Sequence, residues 1–144
     1  MKPIFRIVIF LFFLTSLSTS IFSQQKKADY DIKAVFVKHT PKEITLNNPV
    51  VFYYRIKNCG NNIIPAKTYD VKFYVDNKLK NFDYATAKLN VKNGVIEYAT
   101  KGSSQYIPQK LGKHTYKLVV APKKILSFEN KANNVIEGSF FVKK

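Results

Sequence analysis

Cys59, His39 and His114 are the side chains of this sequence able to serve as soft nucleophile, general base or metal ligand, and the chain has no other cysteine or histidine. Cys59 lies in "YRIKNCGNN" (54–62), between an asparagine and a glycine at the end of an apolar run. A chain with one cysteine cannot form an internal disulfide. A catalytic thiol needs a base, and neither histidine is near it in sequence, which leaves open a meeting in space. The three residues show no metal-ligand spacing. Asparagine and glycine both tolerate the left-handed backbone of a sharp reversal, so Cys59 reads as a turn residue.

The remaining chemistry is equally sparse. Nine acidic residues offer no pair of carboxylates in an acid/base spacing. There is no glycine-rich phosphate loop and no nucleophile elbow. His39 and His114 read as edge or core histidines. The sequence therefore predicts a non-enzyme with no cofactor and no metal.

Binding chemistry is better represented. The chain carries 24 basic residues and a net charge of +15, which attracts polyanions through a field that fades with salt. Only Arg6 and Arg55 are arginines. A site built for phosphate usually recruits the planar, bidentate guanidinium, whereas lysine acts as a mobile point charge. The lysines are also spread along the chain, and no specific nucleic-acid motif is present.

Short alternating segments must position whatever binds. "DIKAVFVK" (31–38) places Ile32, Ala34 and Phe36 on one side. "PVVFYYRIKN" (49–58) opposes Val50, Phe52, Tyr54 and Ile56 to Val51, Tyr53, Arg55 and Lys57. "YDVKFYVD" (69–76) opposes Tyr69, Val71, Phe73 and Val75 to Asp70, Lys72, Tyr74 and Asp76. "KHTYKLVVAP" (113–122) sets His114, Tyr116, Leu118 and Val120 inward and Lys117 outward, and Pro122 ends it. "VIEGSFFV" (135–142) aligns Ile136, Phe140 and Val142. Period two, β-branched and aromatic residues and Asn/Gly/Pro boundaries predict strands. "KLNVKNGVIEY" (88–98) reads as a hairpin turning at Asn93-Gly94, "SSQYIP" (103–108) as a short strand, and "DYATAK" (83–88) as a helical turn. About seven strands and no amphipathic helix predict an all-β, immunoglobulin-like antiparallel β-sandwich.

Residues 1–23 read as a cleaved signal peptide. Lys2 and Arg6 precede an apolar core from Ile7 to Leu17 of 11 residues, which as a helix would be about 16 Å long against ~30 Å of hydrocarbon. No later run is long enough to span a membrane. Residues 24–30 then form a flexible N-terminal segment, and 31–144 one domain large enough for a single core. The expected location is exported: periplasmic, cell-surface or extracellular.

"VVFYYRIKNCGNN", "VKFYVDNK", "GKHTYKLVVAP" and "ENKANNV" follow in order, and together they resemble the CARDB domain, a bacterial immunoglobulin-like module named for its association with cell-adhesion proteins. The resemblance covers about Asp31 to Val142. It implies that Cys59 fills the variable middle of an Asn-x-Gly turn. It also implies that 77–112 is longer than usual in the family. Where that family carries several acids between its last two strands, this chain has Lys123 and Lys124 and a displaced Glu129, a set that does not suit Ca²⁺.

In an immunoglobulin-like arrangement the third and sixth strands are neighbours. Lys72, Tyr74 and Lys117 would then form one basic-aromatic patch and Tyr53, Arg55 and Lys57 another on the opposite sheet. Tyrosines can stack on sugars or bases while ammonium groups meet acids. Phe128, in the loop 122–134, is a third candidate contact. The expected function is an exported, non-catalytic adhesion-type module that contacts a protein or glycan. The alternatives are a secreted polyanion binder for nucleic acid or acidic polysaccharide, and an accessory subunit of an envelope complex.

Overall fold

A computed structural model describes residues 29–91, 94–123 and 131–144. The expected signal segment, residues 24–28, Asn93 and Phe128 lie outside the described residues.

Eight strands follow one another: β1 (Ile32–Thr40), β2 (Ile44–Thr45), β3 (Val51–Asn58), β4 (Tyr69–Val75), β5 (Lys78–Asp83), β6 (Val95–Ala99), β7 (Gly112–Pro122) and β8 (Val135–Lys143). They form a three-stranded sheet in the order β1-β3-β6 and a five-stranded sheet in the order β2-β8-β7-β4-β5. Every pairing is antiparallel except the two-residue contact of β2 with β8. Among the described residues there is no α-helix. The architecture is the sandwich that the alternation predicts.

The faces also match. Val50, Phe52, Tyr54 and Ile56 are buried from one sheet, and Tyr69, Val71, Phe73 and Val75 from the other. Aromatic rings join the two layers: Tyr54 stacks on Phe73 with centroids 5.2 Å apart, and Phe36 on Tyr116 at 4.4 Å. Such offset pairs add about 0.5–1.5 kcal/mol each beyond the area they bury. In β1 the mixed pattern has a simple cause. The register slips between Phe36 and Lys38, so Val37 is an extra residue and His39 returns to the inner side opposite Phe52.

The middle of the chain departs from the sequence reading in three places. First, 88–98 is not a hairpin of paired strands. Leu89 is buried and exchanges backbone hydrogen bonds of 2.9 and 3.0 Å with Ile64, while β6 pairs with β3. The chain does reverse here, and a Cβ on Gly94 would collide with the backbone of Asn90. The two arms then go to different partners.

Second, 83–88 forms no helical turn. The strand β5 runs to Asp83, whose Oδ1 accepts the Ala85 amide at 2.6 Å in a side-chain-closed turn. Third, 103–108 contributes a 3₁₀ turn at Gly102–Ser104 and a single bridge between Tyr106 and Val50.

Gly60 needs a different explanation from the one its type suggested. It is not among the residues at positive φ. A Cβ there would sit 2.7 Å from the carbonyl oxygen of Asp29 and 2.8 Å from the Asp31 nitrogen. Glycine is required because the N-terminal segment crosses against it, held by the Cys59 amide donating to the Asp31 carbonyl at 2.8 Å.

Candidate functional site

The outer face of the five-stranded sheet carries Lys72, Tyr74 and Lys117. Lys72 and Tyr74 are alternate residues of β4, and Tyr74 lies directly across from Lys117 of β7. The register extends this row to Leu79 of β5 and Glu137 of β8. Their inward neighbours Phe73 and Leu118 are fully buried, so the pleat fixes these side chains outward. The Lys72 ammonium stands 5.6 Å from the Phe82 ring centroid, and Lys117 Nζ lies 2.7 Å from Glu137 Oε1. That pair is solvent-exposed, so it contributes little to stability and leaves Lys117 available to a ligand. Beside it a shallow depression of about 460 Å³ is bordered by Lys113, Thr115, Lys117 and Ser139.

Tyr53, Arg55 and Lys57 lie on the central strand of the other sheet, also outward. Lys38 stands 5.4 Å from the Tyr53 ring centroid, Arg55 is ion-paired with Glu97, and Lys57 faces Lys33 across the β1–β3 ladder. The two patches therefore decorate opposite outer faces, and one small ligand cannot touch both.

His114 is a core-edge histidine, 7 % exposed, with its ring parallel to Phe140 at 5.5 Å. Its Nε2 lies 2.9 Å from the Lys110 carbonyl oxygen. Its Nδ1 lies 2.6 Å from Asp76 Oδ2, with the Tyr106 hydroxyl 3.2 Å away. Both nitrogens thus face oxygen atoms of the protein. For Asp76, burial pushes the carboxyl upward. The Thr115 amide, His114 and the Thr115 hydroxyl outweigh that and hold it below its ordinary value. His39 directs Nδ1 at the Pro41 carbonyl oxygen, 2.8 Å away. Sequence reasoning missed this arrangement because Asp76 and His114 are 38 residues apart. The available signal was Asp76-Asn77, a pair suited to a positive-φ hairpin turn that brings β5 back beside β4.

The geometry defines an immunoglobulin-like sandwich with basic-aromatic outer faces. More narrowly, its fold is that of the CARDB domain, as the sequence resemblance implied. The chain superposes on the solution structure of the CARDB domain of the Pyrococcus furiosus protein PF1109 with a TM-score of 0.61 and 19 % identity, covering 80 % of this chain and 96 % of that one. The crystal structure of the same domain, in complex with di-metal ions, gives 0.62 and 18 %, covering 88 % and 99 %. No protein-family model and no curated protein matches the chain.

The donor set of the described residues does not fit two metals. Among the described residues no three His, Cys, Asp or Glu side chains converge on one point. Hard cations need several converging oxygens, and Lys123 stands where the family resemblance places acids.

Proposed function

We propose that this protein is an exported, non-catalytic, adhesion-type binding module that contacts a protein or glycan partner through the outer face of its five-stranded sheet. The observation that carries this reading is the cross-strand alignment of Tyr74 with Lys117, with Lys72 one pleat away. A flat sheet held rigid by the core presents these groups in fixed register, so little ordering entropy is lost on binding. The fold supports this reading as an analogy, and the signal-like residues 1–23 support export to the periplasm, the cell surface or the medium. The test is a glycan array and a pull-down with the secreted protein, alongside the variant Lys72→Gln/Tyr74→Ala/Lys117→Gln. Loss of a captured ligand in that variant, with unfolding unchanged, is the expected result. Retention of every ligand would overturn the assignment to this face.

A second reading is favoured by the net charge of +15 and by the direct facing of Lys33 and Lys57 across the β1–β3 ladder. In it the protein binds polyanions through its overall field. Affinity for heparin or nucleic acid should then fall steeply with salt, and a salt-independent affinity would exclude it.

A further inference from the structure

At one end of the sandwich a pocket of about 330 Å³ opens between the β4–β5 turn, the start of β7 and the segment leading into it. Its floor is Val75, Tyr106 and His114, each less than one-tenth exposed. Three lysines border it: Lys78 and Lys80 from β5, and Lys110. Among the described residues none of the three is ion-paired with a carboxylate. Lys80 is placed by the floor itself, its ammonium 5.4 Å from the Tyr106 ring centroid. The one carboxylate in the lining, Asp76, is committed elsewhere. Its Oδ2 faces His114 and its Oδ1 accepts the Thr115 amide at 2.9 Å. The lining thus sets three lysines against a single carboxylate that is already held by His114 and the Thr115 amide.

We propose that this pocket binds the carboxylate-bearing ring of an acidic sugar, a hexuronate unit. Three ammonium groups around a concave, partly desolvated site favour an anion far more than the same charges on an open face. The lining contains no arginine fork and no helix N-terminus, the two devices that usually select phosphate. Half-exposed Ile107 offers an apolar wall for the C–H face of a ring, and Gln109 an amide for hydroxyls. The volume suits one monosaccharide rather than an extended chain. None of Lys72, Tyr74 and Lys117 lines it, so this site is separate from the outer sheet face and does not depend on it.

The test is an NMR titration of the full chain with glucuronate, glucose and inorganic phosphate as separate probes, reading the His114 ring and the Ile107 methyls. Saturable shifts with glucuronate and none with glucose are expected. Binding should weaken at least 10-fold in Lys80→Gln/Lys110→Gln, and measurably in Lys110→Gln alone, whose exposed position leaves the fold untouched. The outer-face variant Lys72→Gln/Tyr74→Ala/Lys117→Gln should bind glucuronate as the parent does. The proposal is overturned by an absence of shifts with glucuronate, by glucose acting equally, or by phosphate binding as tightly as glucuronate. Unchanged binding in the lysine variants, or its loss in the outer-face variant, would overturn it as well.

Discussion

His114 and Asp76 meet across the end of the sandwich, Nδ1 to Oδ2 at 2.6 Å, and the same Asp76 receives the Thr115 amide through its other oxygen at 2.9 Å. One carboxylate therefore ties the β4–β5 turn to the first residues of β7. Its folded-state acidity is stronger than its ordinary value, so the stability it contributes is present above the ordinary carboxylate range. That contribution is lost as pH falls through the depressed value. Asp76→Asn should lower stability at neutral pH by about 1–2 kcal/mol, because the side chain is half-exposed and solvent screens part of the effect. It should also flatten the acid limb. Urea midpoints measured from pH 3 to pH 7 check both; parallel curves for variant and parent would refute the linkage.

Asn58 is the knot of the opposite end. It is buried, its Nδ2 donates toward the carbonyls of Asn62, Leu89 and Asn90 at 2.9–3.3 Å, and its Oδ1 accepts the Gly60 amide at 2.9 Å. Removing it strands several buried backbone groups at once. Asn58→Ala should cost about 2–4 kcal/mol, and Asn58→Asp at least as much, since a carboxylate would face carbonyl oxygens. Equilibrium unfolding measures this, and a near-neutral Asn58→Asp would show that the network is dispensable.

Those two ends mark where the sequence was readable and where it was not. Along β3, β4 and β7, alternation names every buried apolar residue, because a two-residue period survives only where one face packs and the other is wet. Placing Tyr74 beside Lys117 needed only the neighbouring of their strands. β5 escaped because "KLKNFD" is an edge strand whose lysines hide the alternation. Its clue was the turn before it, where Asp76 and Asn77 both adopt positive φ. The pocket of Lys78, Lys80, Lys110 and His114 escaped for a further reason. It joins an unrecognised strand to a recognised one, and such a juxtaposition has no local signature.

Gly138 carries a prediction about the interior. It sits opposite Tyr116 in the β7–β8 ladder, and the ring of Tyr116 lies over it. A Cβ at this position would approach Tyr116 Cε1 to 2.7 Å and meet the phenol end more closely still. The ring cannot simply retreat, because Phe36 stacks on it at 4.4 Å. Gly138→Ala should therefore destabilise the fold by about 1–3 kcal/mol. In Gly138→Ala/Tyr116→Ala the two effects should be clearly non-additive, since the clash disappears with the ring. Additive losses in the double-mutant cycle would mean that the glycine is needed for another reason.

The buried tyrosines predict the alkaline limit of the fold. Burial pushes Tyr54 up to about 12, despite the opposing hydrogen bond from Asn81 Nδ2, and Tyr69 likewise to about 12. It also raises Tyr98, Tyr106 and Tyr116. A phenol that ionises later in the folded state than in the unfolded chain contributes stability that is whole below the ordinary value near 10. That stability drains away as pH rises through the raised value. Folding should accordingly weaken between about pH 10 and 12, and these phenols should ionise together with unfolding. Tyrosine absorbance near 295 nm followed against pH, with circular dichroism on the same samples, checks this. The expected record is a steep late rise in phenolate that coincides with loss of the sheet signal, and that becomes gradual in denaturant. A single smooth phenolate curve, identical with and without denaturant, would mean that these five rings are not held in the shared core of the two sheets.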